Sequence, residues 1–162
     1  MAQCRSTPCP QSRRRGARSA LLACLFVSAC ASTPQASPER DAQAKAFDTH
    51  PATAAIYVYR YDNAPEEESV LFVDGRLIGA TLPRTYFRFD VRPGTHRLHG
   101  MGPDSGSLVF EARPGNIQFI SLRVQNGISF FQPVGDAAGR ETLRACCALL
   151  ENWAPGQRPL IH

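Results

Sequence analysis

The dipeptide Asp74-Gly75 is the feature that most limits what this chain can fold into. It lies between two short apolar runs, Val70–Val73 and Arg76–Gly79. A two-residue hairpin turn needs φ > 0 at both central positions, and Asp-Gly is one of the pairs that adopt this geometry most readily. The pattern therefore predicts a β-hairpin, with an antiparallel strand on each side of the turn.

Two Arg-Pro-Gly turns, Arg92–Thr95 and Arg113–Asn116, interrupt the chain further on. In such turns proline fixes φ at the first central position and glycine supplies φ > 0 at the second. Between the hairpin and the first turn, Phe87, Phe89 and Val91 alternate with polar or amphipathic neighbours, which is the period of a strand with two distinct faces. These signals predict a series of short antiparallel strands.

The strand pattern ends at Gly135, where the apolar period changes to that of a helix. Leu143, Cys146, Cys147, Leu150 and Trp153 fall on one helical face, so Ala137–Asn152 is predicted to be an amphipathic helix. The predicted fold is mainly β: an antiparallel β-sandwich or curled sheet of about 7–8 strands with one C-terminal amphipathic helix. Its predicted strands are Ala54–Arg60, Val70–Val73, Arg76–Gly79, Tyr86–Val91, His96–Gly100, Leu108–Ala112, Ile117–Val124 and Ile128–Val134.

The N-terminal residues have the organisation of a signal peptide. Arg13–Arg18 is positively charged, and Ser19–Ala29 is an apolar run of eleven residues. A membrane-spanning helix needs about 20 apolar residues, so a run of this length fits a signal-peptide core instead. It ends in Val27–Cys30, which resembles the lipobox of bacterial lipoproteins at every position. The resemblance implies cleavage between Ala29 and Cys30 and a lipid on the Cys30 thiol.

Cleavage at this segment has a second interpretation, in which no lipid is attached. Ala29-Cys30-Ala31 also has the small residues of an ordinary signal-peptidase site, which would release a soluble secreted protein. If Cys30 carries lipid, Ala31 is a residue that, by analogy with lipoprotein sorting, sends the protein to the outer membrane, facing the periplasm.

The chain then divides into a signal peptide (1–29), a lipidated cysteine with a flexible tether (30–52), a β-rich domain (53–154) and a C-terminal tail (155–162). A tether of this length holds a domain roughly 25 Å from its anchor.

Charge argues against nucleic acid as a partner of the mature protein. The formal net charge of the full chain is +4, but residues 1–29 hold five of its 18 basic side chains and no acidic one. From Cys30 onward the chain carries 13 basic and 14 acidic residues. Nucleic-acid binding depends on a basic face, which this nearly neutral composition does not predict.

Few residue patterns in the β-rich part indicate chemistry. His96 and His99 are three positions apart on a predicted strand, where their rings point to opposite faces, so no metal site is predicted. Cys146 and Cys147 could form a vicinal disulfide with a redox role. On a helix, however, adjacent side chains diverge by about 100°, which favours two small apolar thiols in the core. No catalytic residue and no cofactor are predicted.

Several segments together resemble the DUF2846 domain, a family of uncharacterised bacterial lipoproteins. The matching segments are Ile56–Arg60, Val73–Gly79, Thr85–Phe87 and Val91–His96, and the resemblance extends over about Ala54 to Leu150. The hairpin and the following Pro-Gly turn are also similar to PEGA-type surface β modules. The resemblance implies a β fold and an address in the cell envelope, and it implies no catalytic residue.

The function expected from the sequence is that of a non-catalytic binding or structural module anchored to a membrane through lipid on Cys30. An envelope protein, a glycan or a peptidoglycan-associated component is its expected partner. The alternative is a small envelope enzyme or redox protein that uses Cys146 and Cys147.

Overall fold

The structure is a computed structural model, and it describes residues 33–61, 69–101 and 106–151. In these ranges it contains two helices and nine strands. They are α1 (Pro38–Ala44), β1 (Ala54–Arg60), β2 (Ser69–Val73), β3 (Arg76–Thr81), β4 (Thr85–Val91), β5 (Gly94–His99), β6 (Ser107–Ala112), β7 (Ile117–Gln125), β8 (Ile128–Val134), α2 (Asp136–Cys146) and β9 (Ala148–Leu149).

The strands form two sheets, and the mainly β prediction is confirmed. Sheet 1 has the order β8-β7-β1-β4-β9, and sheet 2 has the order β3-β2-β5-β6. All eight predicted strands are present with small shifts at their ends, and β9 is an addition. The Asp74-Gly75 turn has φ values of 51° and 75°, as a two-residue hairpin requires. Pro133 lies in β8, which is an edge strand of sheet 1.

The expectation of purely antiparallel pairing is wrong for two pairs of strands. β1 pairs in parallel with β7, where Tyr57 lies opposite Phe119, and β4 pairs in parallel with β9. The reason is the path between β4 and β7. β4 ends beside the start of β1, and the chain then passes through the β5–β6 hairpin of sheet 2. The hairpin brings the chain back to the same end of sheet 1, so β7 starts beside the start of β1 and runs parallel to it.

Alternate residues of both sheets form the core between them, which we call the inter-sheet core. Phe87, Phe89 and Val91 point into it, on the face predicted from their alternation. Its buried members are Ala54, Ile56, Val58, Leu71, Val73, Ile78, Phe87, Phe89, Val91, Leu98, Phe110, Ala112, Ile120, Leu122, Val124 and Leu150.

A second core lies on the other face of sheet 1, under the two helices, and we call it the helix-side core. β1 contributes to both cores and is buried along its whole length, because β4 and β7 cover its edges. The buried members of the helix-side core are Ala36, Ala44, Phe47, Ala55, Tyr57, Tyr59, Tyr86, Phe119, Leu143, Cys147 and Leu149.

The interpretation of residues 30–52 as a flexible tether is wrong for the part that the structure describes. Ser37 caps α1 by accepting a hydrogen bond from the Arg40 amide at 3.4 Å, and Pro38 occupies the first helical turn. These are ordinary helix-start signals. Ala44 and Phe47 are buried in the helix-side core, so this segment is part of the domain.

The predicted C-terminal helix exists but is shorter than expected. α2 ends at Cys146, and Cys147 has extended backbone angles of φ −123° and ψ 144°. The apolar period through Cys147 and Leu150 predicted more helix. Instead, the residues after Cys147 pair with the open edge of β4. The Leu150 amide, for example, donates to the Tyr86 carbonyl oxygen at 2.9 Å.

Candidate functional site

The residues to which the sequence assigns cleavage and lipidation, Ala29 and Cys30, lie outside the described residues. The described chain begins at Thr33, whose hydroxyl accepts a hydrogen bond from the Ala80 amide of β3 at 2.7 Å. Gln35 then forms an antiparallel bridge with Leu150, and the Ala36 amide donates to the Leu149 carbonyl oxygen at 2.9 Å. Residues 33–36 therefore connect an edge strand of sheet 2 to the β9 edge of sheet 1.

Cys146 and Cys147 are joined by a disulfide bond. The expectation that their side chains diverge assumed that both residues were helical. Because α2 ends between them, the change from helical to extended backbone brings the two sulfur atoms together. Cys147 is only 5% exposed and packs in the helix-side core, whereas Cys146 is half-buried at its margin.

A polar network from α1 holds the backbone next to the disulfide. The Lys45 ammonium group donates to the Cys147 carbonyl oxygen at 2.6 Å and lies 2.7 Å from a carboxylate oxygen of Asp41. The other Asp41 oxygen accepts the Leu149 amide at 2.9 Å. The sequence signal for this network is the spacing of Asp41 and Lys45, which are four residues apart around a short capped helix.

The aromatic side chains under the two helices are buried in the helix-side core. The Tyr57 ring stacks on Phe119 at a centroid distance of 5.2 Å and on Tyr86 at 6.0 Å. The Phe47 ring contacts Tyr57 at a centroid distance of 5.4 Å. The Tyr57 hydroxyl donates to the Ala44 carbonyl oxygen at 2.6 Å. Burial raises the pKa of Tyr57 and of Tyr86 above the ordinary value of 10.0. These phenols are structural groups that remain protonated in the folded protein.

An open groove of about 480 Å³ lies between α2 and the strands beside it. This volume is in the range of small-ligand sites. The Tyr61 side chain, 63% exposed, stands at the groove with the charged or amide side chains of Arg123, Gln132 and Glu141. The remaining lining residues are Tyr59, Ser121, Leu122, Thr142 and Ala145. No local sequence pattern predicts this groove, because four segments far apart in the chain supply its walls.

The two histidines occupy different environments, as their spacing predicted. His96 Nδ1 lies 2.6 Å from Asp74 Oδ2, and its Nε2 lies 2.8 Å from the Arg92 carbonyl oxygen. The His99 ring stacks on Phe72 at 4.9 Å on the other face of the sheet. Among the residues described, no group of three or more His, Cys, Asp or Glu side chains is arranged to hold a metal ion.

Comparisons with known proteins add little to this geometry. No protein-family model matches the chain, and no solved structure matches it. An uncharacterised protein of Haemophilus influenzae is 28% identical over 107 residues, which is 64% of this chain and 64% of that protein. The chain thus spans less than two thirds of this relative's length. Within the described ranges, no helix is long and apolar enough to cross a membrane.

Proposed function

We propose that this chain is a cell-envelope lipoprotein, cut after Ala29 and anchored by lipid on Cys30, whose β-sandwich is a non-catalytic binding or structural module. The observation that carries the proposal is Val27–Cys30 at the end of an eleven-residue apolar run that follows a cluster of arginines. A single acyl chain holds a protein only weakly, whereas two or three chains on one cysteine give stable anchoring at about 0.8 kcal/mol per buried CH₂.

Ala31, directly after the anchored cysteine, supports outer-membrane attachment with the domain in the periplasm. The membrane is thus the first partner, reached through the lipid. An envelope protein or a glycan is the second, and the groove beside Tyr61 supports a glycan. An exposed aromatic ring gives a sugar an apolar surface, and Arg123, Gln132 and Glu141 offer donors and acceptors for its hydroxyl groups.

Metabolic labelling with a radioactive fatty acid tests the anchor. The wild-type chain should take up label and fractionate with outer membranes, and Cys30→Ser should do neither. Cys146→Ser is the matched control and should retain the label. Equal labelling of Cys30→Ser and wild type would refute the proposal.

Binding of soluble peptidoglycan fragments, measured by calorimetry, tests the groove. Tyr61→Ala should weaken binding at least as strongly as Gln132→Ala. Met101→Ala, a truncation of another exposed side chain outside the groove, should leave the affinity unchanged. Full affinity in the Tyr61 variant would remove the groove from the proposal.

A second candidate function is a redox protein that uses Cys146 and Cys147, and the disulfide between them is the observation that favours it. In the mature chain these are the only cysteines besides Cys30. Thiol titration of the purified lipoprotein should then find two reactive thiols after treatment with a dithiol reductant and none before it. A pair that is already reduced and does not react with thiol reagents would refute the redox role.

A further inference from the structure

The groove beside Tyr61 carries one charged side chain of each sign, and each comes from a different wall. Arg123 belongs to β7 in sheet 1, and Glu141 belongs to α2, which packs against β7. Both side chains are exposed. A ligand in the groove therefore meets a guanidinium group on the sheet side and a carboxylate on the helix side.

The strand register places Arg123 beside Tyr61. Tyr59 of β1 pairs in parallel with Ser121 of β7. The next residues on the same face of the sheet are two positions further on, which are Tyr61 after the first strand and Arg123 in the second. Tyr61 is 63% exposed and lines the groove together with Arg123. An apolar ring and a cation are thus presented to the same ligand.

The position of Glu141 is determined by the packing of α2. Gly139 brings the backbone of α2 directly against the Phe119 ring, so the helix is held over sheet 1 at this turn. Glu141 and Ala145 are four residues apart and share one face of the helix, and both line the groove. Glu141 therefore belongs to the helix face that borders the groove.

The two groove charges are not neutralised by the protein. Within the part of the chain that the structure describes, no hydrogen bond or ion pair involves the Arg123 guanidinium or the Glu141 carboxylate. The cations next to Glu141 on α2 have other contacts, since Arg140 pairs with Asp136 and Arg144 lies over an aromatic ring of the helix-side core. Both groove charges can therefore pair with a ligand.

Two opposite charges in one groove select for a ligand that carries both signs. A simple anion is attracted by Arg123 but repelled by Glu141, and a simple cation meets the reverse. A neutral sugar forms hydrogen bonds but no ion pair. A molecule with a carboxylate and an ammonium group can pair with both residues, and the pairs fix its direction in the groove.

We propose that the groove binds a zwitterionic amino-acid or peptide group, whose carboxylate pairs with Arg123 and whose ammonium group pairs with Glu141. The Tyr61 ring packs against the apolar part of the ligand. This inference rests on the proposed binding function of the groove and names the chemistry that it recognises. In a glycan fragment that carries a peptide, the peptide supplies both charges, and a free peptide has the same chemistry.

Calorimetry on the purified full-length protein tests the proposal. The probe is a peptidoglycan disaccharide with a tripeptide that ends in diaminopimelate, which carries ammonium and carboxylate groups. Acetylation of its ammonium group should weaken binding to the wild type by about fivefold, the upper end for an ion pair at an exposed site. Acetylation should have little effect on binding to Glu141→Gln. Amidation of the carboxylates should weaken binding to the wild type in the same way, with little effect on binding to Arg123→Gln.

Glu111→Gln and Arg113→Gln are the matched controls, because they change the net charge equally at exposed positions outside the groove. Both should respond to acetylation and amidation as the wild type does. The tripeptide without sugar separates the two sources of the ligand. Equal affinity for the tripeptide and the whole fragment indicates a free peptide, and tighter binding of the whole fragment indicates a peptide attached to glycan.

Three results would overturn this inference and leave a glycan-binding groove in place. They are a disaccharide without peptide that binds as tightly as the whole fragment, a wild type that is insensitive to acetylation and amidation, and control variants that lose the sensitivity as the groove variants do. If neither the whole fragment, the disaccharide nor the tripeptide binds, the groove has no part in the proposed function either.

Discussion

Lys45 donates a hydrogen bond to the carbonyl oxygen of Cys147 across 2.6 Å, although the two residues are 102 positions apart in the chain. Because Asp41 pairs with Lys45 and also accepts the Leu149 amide, a single turn of α1 fixes the chain on both sides of Ala148. The N-terminal segment thus helps to place the disulfide and the edge strand that follows it.

Lys45→Met should lower the free energy of unfolding by about 1.5–3 kcal/mol, the range for a hydrogen bond to a charged group. Urea denaturation measures the change. Arg40→Met is the matched control, because Arg40 forms an ion pair on the same helix but is 56% exposed. Such surface pairs contribute about 0–1 kcal/mol. Equal losses in the two variants would contradict a specific role for Lys45.

Gly139→Ala should destabilise the domain, although alanine favours a helix by about 1 kcal/mol relative to glycine. A Cβ atom at position 139 would overlap the Phe119 side chain, so α2 would have to move away from sheet 1. Thermal unfolding should show a lower midpoint. The loss caused by Gly139→Ala should be smaller in a Phe119→Ala background, because that variant lacks Cγ and Cδ1, two of the three nearest atoms. A higher midpoint for Gly139→Ala alone would show that the helix–sheet contact is looser than described.

Ionisation of Asp90 should make the domain less stable as the pH rises above 3.8, the ordinary pKa of this carboxyl group. Burial raises the pKa of Asp90 above 3.8, and the neighbouring Arg88 guanidinium only partly opposes this. The folded state therefore binds the proton more tightly than the unfolded state, and its stability falls from pH 3.8 up through the raised pKa. Asp90→Asn removes this dependence. Between acidic and neutral pH, the denaturation midpoint of the wild type should fall relative to that of the Asn variant. Midpoints that change in parallel would contradict a raised pKa for Asp90.

Alkaline pH should unfold the domain through its buried tyrosines. Burial raises the pKa of Tyr57, Tyr59 and Tyr86 above 10.0, so the folded state keeps protons that the unfolded state releases. Stability is therefore lost as the pH rises above 10. Tyrosinate absorbance should increase together with the loss of circular dichroism. Tyr86→Phe should make the loss less steep, and ionisation of all three phenols in a folded domain would contradict their burial.

The sequence was sufficient for the strands and their turns, because those depend on local rules. Asp74-Gly75 and the two Arg-Pro-Gly turns determine where the chain reverses, and alternation determines which side of β4 is buried. Asn126-Gly127, with φ values of 52° and 73°, is a local turn signal of the same kind and connects β7 to β8.

The errors concern contacts between distant residues. The parallel pairing of Tyr57 with Phe119 depends on the route of the chain through sheet 2, which no local period encodes. Phe47 packs against Tyr57 and Phe119, so a segment with tether-like composition becomes part of the core. The groove was not predicted for the same reason, because its lining depends on contacts between distant residues. The sequence presented Tyr61, Arg123, Gln132 and Glu141 separately, and only the packing of α2 on sheet 1 brings them together.

The central position of β1 has a consequence for the time course of folding. A chain that emerges with its N-terminus first exposes β1 early, but the strand on one side of it, β7, begins only at Ile117. Until that residue is free, an apolar strand with an open edge is available to other chains. Because β1 and β7 are far apart in the sequence, they pair late. Such long-range pairing predicts slow folding and a need for a chaperone until the second half of the chain has emerged.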